Sequence, residues 1–347
     1  MRRVANPPNP YEARRVEWDP DPAWDFDDAP LARLEVYEQE TRDALSKNTS
    51  PDLSFTWSVN PYRGCFHACA YCYARPTHQY LGFGAGTDFD RRIVVKTNVA
   101  ERLGQAFERS TWRGETVVFS GNTDCYQPVE ARYGLTRACL EQCFAYRNPV
   151  SIITKSKLVV RDAALLAQLA TQARCHVTVS LPFLDAKMAR AIEPNAASPK
   201  ARLATIAHLA DAGVPVGISV GPIVPGLSED QIPAILRAAK EAGASWAFGI
   251  LLRLPAEVRP VFEDRLREAY PLRAKKVMSA VREMRGGRTN DPRFGSRMKG
   301  QGARWDAIAQ LFEHHRRNLG LDLRVAGAAH EGPTTFERNV RQLRLFA

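Results

Sequence analysis

The stretch NPYRGCFHACAYCYARPTH, residues 60–78, determines how the rest of this chain is interpreted. It contains three cysteines within eight residues, in the spacing C-x3-C-x2-C: Cys65, Cys69 and Cys72. Such tight, polar spacing is not expected of three buried structural cysteines. A structural zinc site needs a fourth ligand, which His67 or His78 would have to supply because no second short-spaced cysteine pair follows. The remaining interpretation is a [4Fe–4S] cluster, whose four irons normally take four cysteines, with one iron left open for another ligand.

The length and composition are those of a globular protein. With 347 residues, 45% hydrophobic and 25% charged, the chain can bury a sizeable core, and an α/β barrel uses about 200 to 250 residues as one unit. The N-terminus MRRVANPPNP has no apolar segment after its basic residues, and no run of about 18 apolar residues occurs. We therefore expect a cytoplasmic protein without a membrane partner, whose seven cysteines stay reduced.

The charge is distributed unevenly around a net value of +10. Residues 1–60 hold 7 Lys and Arg against 12 Asp and Glu, whereas residues 272–347 hold 16 against 7. A basic C-terminal region indicates an anionic partner, with nucleic acid as the first candidate. The alternative is that these charges only solvate a helical surface, as charge runs usually do.

The hydrophobic pattern divides the chain into three parts. Residues 1–52 are predicted to form an extended N-terminal arm. Residues 53–271 alternate between short β-rich runs and amphipathic helical patterns. Residues 272–347 lose the strands and are predicted to form a basic, mainly helical C-terminal module around a Gly- and Arg-rich loop.

The N-terminal arm shows no sustained periodicity apart from one short helical pattern within residues 29–45. Its large aromatic side chains, Trp18, Trp24 and Phe26, would be exposed to solvent if the arm were free. We therefore expect the arm to pack against the rest of the protein.

Six β-then-α units of similar length predict a parallel sheet. The predicted strands are residues 53–59, 116–120, 150–154, 176–181, 214–220 and 246–252. Six units are fewer than the eight of a closed barrel. The predicted fold is therefore α/β, a partial (β/α)6 TIM-type barrel with an N-terminal extended arm and a C-terminal helical extension. In such a sheet the ligand site lies at the carboxyl ends of the strands, where the cysteine loop follows the first strand.

With aromatic Tyr71 just before the last cysteine, on the loop after the first strand of a six-unit barrel, the motif resembles that of the radical S-adenosylmethionine (SAM) superfamily. The resemblance covers roughly residues 53–270. It implies that the open iron of a [4Fe–4S] cluster chelates the methionine moiety of SAM. It also implies that an electron, from a reductant such as flavodoxin or ferredoxin, cleaves SAM to a 5′-deoxyadenosyl radical, which removes hydrogen from a substrate.

Later segments, TVVFSGNTDCYQPVE and SIITKS among them, resemble the spore photoproduct lyase-like branch, and within it a sub-group of unassigned function. The resemblance implies contacts to SAM from Asp124, Lys155 and Ser180, at the ends of the second, third and fourth strands. It also implies that Tyr71 and Tyr73 flank the adenine.

Three further features are expected near the SAM site. Glu193 and Arg202 are expected beside it, with a plain ion pair on a helix surface as the alternative. The glycines of the fifth strand, GISVGPIVPG, are expected to let the backbone approach the adenine closely.

The chain departs from the branch at one position. In spore photoproduct lyase a cysteine near the end of the second strand donates the hydrogen that quenches the product radical, and Gly121 matches that position here. Cys125 lies four residues later on the same loop and is the candidate donor in this chain. The alternative is that Cys125 is a structural core residue, the commoner fate of an isolated thiol.

These features favour a radical SAM enzyme that acts on nucleic acid, in DNA lesion repair or nucleobase modification. Two alternatives stay open: radical modification of a peptide or small molecule, and a non-catalytic iron–sulfur protein that binds nucleic acid or senses redox state. Phe294 and Trp305, among the basic residues of the C-terminal loop, provide the aromatic surfaces that base stacking requires.

Overall fold

The computed structural model describes residues 15–18, 34–255, 257–322 and 333–338. The strands are β1 (Arg15–Trp18), β2 (Leu34–Gln39), β3 (Leu45–Lys47), β4 (Trp57–Val59), β5 (Tyr62–Arg63), β6 (Arg92–Lys96), β7 (Val117–Phe119), β8 (Val150–Thr154), β9 (Cys175–Ser180), β10 (Val216–Ile223) and β11 (Ala247–Leu251). The helices are α1 (Thr87–Arg91), α2 (Val99–Glu108), α3 (Glu130–Tyr133), α4 (Leu135–Ala145), α5 (Ala163–Gln172), α6 (Ala186–Ile192), α7 (Pro199–Asp211), α8 (Ile232–Glu241), α9 (Val258–Ala269), α10 (Pro271–Glu283) and α11 (Ala303–Asn318). Short 3-10 helices span Arg75–Leu81, Lys157–Asp162 and Glu229–Gln231.

The main sheet confirms the predicted architecture. Six strands, β4, β7, β8, β9, β10 and β11, lie side by side in chain order and run parallel. Helices α2, α4, α5, α7 and α8 connect consecutive strands of this set. The antiparallel strand β3 forms the edge beyond β4, and β11 forms the other edge, so the sheet is an open, partial barrel.

The strand boundaries follow the prediction where apolar residues run without interruption. Strand β8 has the predicted bounds, Val150–Thr154. The first strand begins later than predicted, at Trp57, because a turn precedes it: the Asn48 side chain donates to the Phe55 carbonyl at 2.7 Å, and the Asn48 amide donates to the carbonyl of Thr56. Side chain to backbone bonds of this kind compete with strand pairing.

The predicted helix within residues 29–45 is wrong, since this segment contains strand β2 and the first residue of β3. Strand β2 pairs in parallel with β6 inside a second, four-stranded sheet of order β1-β2-β6-β5. Leu34 and Val36 alternate with the half-buried Glu35, which is the period-two pattern of a strand. Long-range pairing with β6 therefore overrides the local helical pattern. The side chains of Trp18, Trp24 and Phe26 lie outside the described residues.

The C-terminal helices are present as predicted and pack on the barrel. In α10, Val277 and Val281 share a hydrophobic cluster with Ala70 and Tyr71 of the cysteine loop. In α11, Phe312 joins the main core of the sheet. The proposed division of the chain at residues 52 and 271 stays a prediction, because the arm and the module both contribute to these sheets and cores. Within the parts of the chain that the structure describes, none of the helices has the length and apolar character that crossing a membrane requires.

The fifth parallel strand, β10, accommodates a large aromatic side chain. A Cβ atom added at Gly217 would lie 2.3 Å from ring atoms of Trp246, which is fully buried beside β11. The indole ring of Trp246 thus occupies the space next to the Gly217 backbone. Gly217 therefore does not fulfil the expected role of letting the backbone approach the adenine closely.

We predict that Gly217→Ala lowers the free energy of unfolding by about 1–3 kcal/mol, because the methyl group overpacks a filled core. Urea unfolding of the variant and the wild type provides the measurement. Ala204→Ser on α7 is the matched control, because it also adds one heavy atom to a small residue, but at an exposed helical position. Equal stability of the two variants would contradict the role given to the Gly217–Trp246 contact.

Candidate active site

The cysteine loop leaves β4 at the carboxyl edge of the main sheet and enters the buried interior. Cys65 and Cys69 are buried, and Cys72 is half-buried. Gly64, with a φ of +77°, turns the chain into the loop, and a Cβ there would lie 2.8 Å from the carbonyl oxygen of Arg92. Only glycine fits this position, which explains the Arg-Gly-Cys sequence.

Arg75 braces the loop from within. Its guanidinium is almost fully buried and donates to the carbonyls of Ala68 and Cys69, both at 3.1 Å. It also donates to the carbonyls of Ala85 and Gly86 and pairs with Asp90 at 2.9 Å. Since these partners occupy the donors of the fork, Arg75 is a structural element of the loop.

The segment after β7, with sequence TDCYQP, holds the start of the loop. The Thr123 hydroxyl donates to the Tyr62 carbonyl at 2.7 Å. The buried side chain of Gln127 accepts from the Phe66 amide at 2.9 Å and donates to the Gly64 carbonyl at 3.0 Å. Sequence reasoning did not assign a role to Gln127, although the TDxYQP motif that contains it was the signal available.

Asp124 connects this segment to the third parallel strand. Its carboxylate accepts from the hydroxyl of Thr154 and the amide of Lys155, each at 2.8 Å, and from the Tyr126 amide at 2.9 Å. The ring of His67 lies 3.4 Å away. Burial opposes ionisation, but His67 and the backbone donors together lower the pKa of Asp124 to about 2. Asp124, which the resemblance predicts to contact SAM, therefore also orders the end of β8.

The three thiols suit a cluster better than a single metal ion. Among the described residues no three Cys, His, Asp or Glu side chains lie close enough to hold one ion, which argues against the zinc alternative. In a [4Fe–4S] cluster each thiolate binds a different iron, so such convergence is not required. Burial raises the pKa of the Cys69 thiol to about 12, although Lys155 opposes the shift. The residues present fit iron, a metal that displaces the protons of the thiols it binds.

Lys155 provides a cation beside the thiols. It follows the last residue of β8, and its Nζ lies 5.8 Å from the centre of the Tyr71 ring. Burial opposes its charge, but Cys69 and Glu193 outweigh burial and raise the pKa of Lys155. No described residue forms a hydrogen bond or ion pair with this ammonium group, so it can bind a carboxylate ligand.

Glu193 and Arg202 form a buried ion pair, not a pair on a helix surface. Their closest N and O atoms lie 2.5 Å apart, and each residue is 1% exposed. The Tyr71 hydroxyl donates to Glu193, and Arg202 donates to the carbonyls of Ser180 at 2.9 Å and Ala197 at 2.8 Å. Although burial opposes the charge, Arg202 and Lys155 hold the pKa of Glu193 below its usual range. The pair thus connects the cysteine loop to the end of β9.

Ser180, the last residue of β9, has a hydroxyl group whose hydrogen bond within the protein is long. Its hydroxyl donates to the Gly221 carbonyl over a long distance of 3.3 Å. The residue lies at the same edge of the sheet as Lys155, because the carboxyl ends of parallel strands meet there.

Tyr73 lies at the opening of the site. Its hydroxyl donates to the Gly121 carbonyl at 2.7 Å, while 49% of the residue is exposed. A Cβ at Gly121 would lie 2.9 Å from Cβ of Ser58, so this position is packed against the first strand. The guanidinium of Arg253 lies 5.9 Å from the centre of the Tyr73 ring.

Cys125 is not brought to this opening. It is 0% exposed and belongs to the main hydrophobic core together with Tyr126 and Cys139. The Thr136 hydroxyl donates to its carbonyl at 2.6 Å. This placement favours the core role over that of a hydrogen donor.

A cavity of about 940 Å3 lies next to the cysteine loop. His67 and Glu193 line it, but the three thiols and Lys155 do not. The rest of the lining comes from segments 126–131, 156–158 and 186–201. The cavity therefore adjoins the thiol site, but the groups expected to bind the cluster and SAM do not line it, apart from Glu193.

We predict that Glu193→Gln lowers the free energy of unfolding by about 3–5 kcal/mol at pH 7, because it leaves the buried charge of Arg202 without a counter-ion. Arg202→Met should cost a similar amount, and the double variant should lose less than the sum of the single losses. Urea unfolding of all four proteins measures the coupling.

The exposed pair of Arg265 and Glu268 on α9, 3.4 Å apart, provides the matched control. Its coupling energy should be about 0.3–0.5 kcal/mol. Additive losses at Glu193 and Arg202 would show that the buried pair does not stabilise the loop as described.

Comparison with known proteins identifies the family. The model of the radical SAM superfamily matches residues 59–239, more than half of the chain. An uncharacterized protein from Mycobacterium tuberculosis is 40% identical over 257 residues, which cover 72% of this chain and 74% of that protein. A radical SAM Nalpha-GlyT isomerase from Pseudomonas phage M6 is 24% identical over 239 residues, 65% of this chain and 48% of that protein.

Solved structures show the same fold. Spore photoproduct lyase complexed with dinucleoside spore photoproduct matches with a TM-score of 0.58 at 19% identity, over 82% of this chain and 78% of the lyase. A mutant of that lyase with bound AdoMet and dinucleoside spore photoproduct matches with a TM-score of 0.56 at 19% identity, over the same shares. The chain therefore belongs to the radical SAM superfamily, and is an enzyme that uses a [4Fe–4S] cluster and SAM on a fold shared with spore photoproduct lyase.

Proposed function

We propose that this enzyme removes hydrogen from a nucleic acid, in nucleobase modification or lesion repair. One observation carries the proposal: guanidinium groups of the basic C-terminal region lie at the carboxyl edge of the sheet, where the thiols also lie. A substrate that reached the site would meet both.

Arg285 attaches the C-terminal region to this edge. Its buried guanidinium donates to the carbonyls of Leu251 and Leu252 at the end of β11, with distances of 3.0 to 3.2 Å. It also donates to the carbonyls of Arg297 at 2.8 Å and Lys299 at 3.0 Å. The Gly- and Arg-rich loop is thus bonded to the end of the sixth strand.

The same loop presents an aromatic ring to solvent. Phe294 is 61% exposed, and the guanidinium of Arg297 lies 4.6 Å from its ring centre. Arg297 is held by an ion pair with Asp52 at 2.5 Å. Exposed rings beside cations are what proteins use to stack unpaired bases and contact the backbone.

The relatives are consistent with this substrate class. The lyase of similar fold was solved with a dinucleoside photoproduct, and the name of the phage relative, Nalpha-GlyT isomerase, describes another radical SAM reaction. A target base inside a duplex would have to be flipped out, because the site lies below the opening of the barrel.

The residues of the site have distinct roles in this proposal. The cluster is held by the three thiolates of Cys65, Cys69 and Cys72. When bound, the cluster and SAM supply the 5′-deoxyadenosyl radical that removes the hydrogen atom. Lys155 binds the carboxylate of SAM, Ser180 contacts its ribose, and Tyr71 and Tyr73 flank its adenine.

The surrounding polar residues position the site. Asp124 orders the end of β8, from which Lys155 projects, while Glu193 and Arg202 hold Tyr71 in place. Arg75 and Gln127 hold the loop itself. We place the enzyme in the cytoplasm, where a flavodoxin or ferredoxin supplies the electron.

We predict that the anaerobically reconstituted enzyme forms 5′-deoxyadenosine and, with a deuterated oligonucleotide substrate, transfers deuterium into it. Mass spectrometry of 5′-deoxyadenosine from incubations with modified and damaged oligonucleotides measures the transfer. The transfer requires direct contact between radical and substrate, so it separates a true substrate from a bystander.

Single Cys→Ala variants at positions 65, 69 and 72 should lose both the cluster signal and the product. Cys139→Ala is the matched control, since this buried thiol lies in the core outside the loop, and it should retain both. Deuterium transfer from a peptide library, but from no oligonucleotide, would replace the nucleic-acid proposal with the peptide alternative.

A further inference from the structure

Arg253 occupies the opening of the site. It is the second residue after β11 ends, so it lies at the carboxyl edge of the sheet. It is half-buried, and its guanidinium lies over the ring of Tyr73, which directly follows Cys72. A single aromatic ring therefore separates this cation from the backbone of the cysteine loop.

The contacts of Arg253 differ from those of the other buried arginines. Among the described residues none accepts a hydrogen bond from it or forms an ion pair with it. The nearby carboxylate, Asp52, is occupied by the guanidinium of Arg297 at 2.5 Å and the amide of Gly295 at 2.5 Å. Asp52 therefore stabilises the charge of Arg253 only at a distance and forms no ion pair with it.

Two further guanidiniums increase the positive potential at this place. Burial and the charge of Arg297 lower the pKa of Arg253, and burial and the charge of Arg253 lower the pKa of Arg285 to about 10. Burial is the larger cause of both shifts, and repulsion between neighbouring guanidiniums adds to it. An anion bound here would relieve this repulsion.

The other buried arginines show what a structural role looks like in this protein. Arg75, Arg202 and Arg285 each place their donors on backbone carbonyls or carboxylates. The half-buried guanidinium of Arg253 has five donors and no acceptor among the residues that the structure describes, so it lacks such compensation. Its planar fork matches two oxygens of a phosphate, the geometry for which proteins use arginine.

We propose that Arg253 is the phosphate-binding residue of the substrate site, where its guanidinium receives a backbone phosphate of a single-stranded nucleic acid at the Tyr73 ring. This inference rests on the proposed nucleic-acid function and adds to it the residue that anchors the strand. The Tyr73 hydroxyl, bonded to the Gly121 carbonyl, keeps the ring in place beneath the cation.

The test is binding of a fluorescein-labelled oligothymidylate to the cluster-loaded enzyme, followed by fluorescence anisotropy over a range of salt concentrations. Arg253→Gln should weaken binding about tenfold or more and reduce the salt slope by about 0.7, the value for one phosphate contact on a single strand. Arg253→Lys should restore the salt slope but only part of the affinity, because it keeps the charge and loses the fork.

Arg237→Gln on α8 is the matched control. Arg237 is exposed on α8 and is not among the residues described at the site, so the variant changes net charge equally at a helix surface. Its affinity should stay within about twofold of the wild type. Iron content and thermal midpoint of each variant establish that the fold and the cluster are retained.

The outcomes separate the proposals. If the wild type binds oligothymidylate with a steep salt dependence but Arg253→Gln binds equally well, the assignment of Arg253 is wrong and the nucleic-acid function stands. If Arg253→Gln instead weakens SAM binding, measured by calorimetry, the anion is the SAM carboxylate and the assignment is again wrong. If the wild type binds a glutamate-rich peptide but no oligothymidylate, both proposals are wrong.

Discussion

Hydrogen bonding of a buried, irregular backbone is the constraint on which this site depends. Most of the cysteine loop forms neither helix nor sheet, so its polar groups cannot be satisfied by regular pairing. Each group left without a partner would cost about 1–3 kcal/mol. Arg75 meets this demand at the carbonyls of Ala68 and Cys69, and Gln127 meets it at the start of the loop. Two side chains with several donors or acceptors thereby hold several points of the loop at once.

Hydrogen bonds of the same kind connect the loop to the strands that carry the residues expected to bind SAM. Asp124 and Gln127 lie on one short segment, which therefore holds both the loop and the end of β8. The ion pair of Glu193 and Arg202 connects Tyr71 to the end of β9. The thiols and the strand ends are thus parts of one hydrogen-bonded unit, which is how a loop without secondary structure can hold a reactive site rigidly.

Local patterns in the sequence predict those strands and helices that interactions between neighbouring residues determine. The parallel strands and the helices between them follow from hydrophobic period and helix caps, and the bounds of β8 match because five apolar or small residues run together. The helix predicted within residues 29–45 is absent because pairing of β2 with β6, more than 50 residues away, decides that segment. Pairing partners at such distances leave no local signal.

The arginines show most clearly that contacts formed on folding leave no local signal in the sequence. From the sequence, Arg202 is expected beside the SAM site, while Arg253 has no predicted role. In the folded chain Arg75 and Arg202 are surrounded by acceptors from other segments and become structural, whereas Arg253 meets two more guanidiniums and an aspartate that is already paired. The role of an arginine thus depends on the acceptors that the folded chain brings to it.

Packing against another segment also determines what can occupy position 121, which matches the thiol donor of spore photoproduct lyase. Gly121 is packed against Ser58, with a hypothetical Cβ only 2.9 Å from that side chain, and its carbonyl accepts from Tyr73. A thiol at residue 121 would need Ser58 to move. Cys125, the nearest thiol along the chain, is enclosed in the core. The fold is therefore shared with the lyase, while the thiol donor that the resemblance implies has no counterpart at position 121 of this chain.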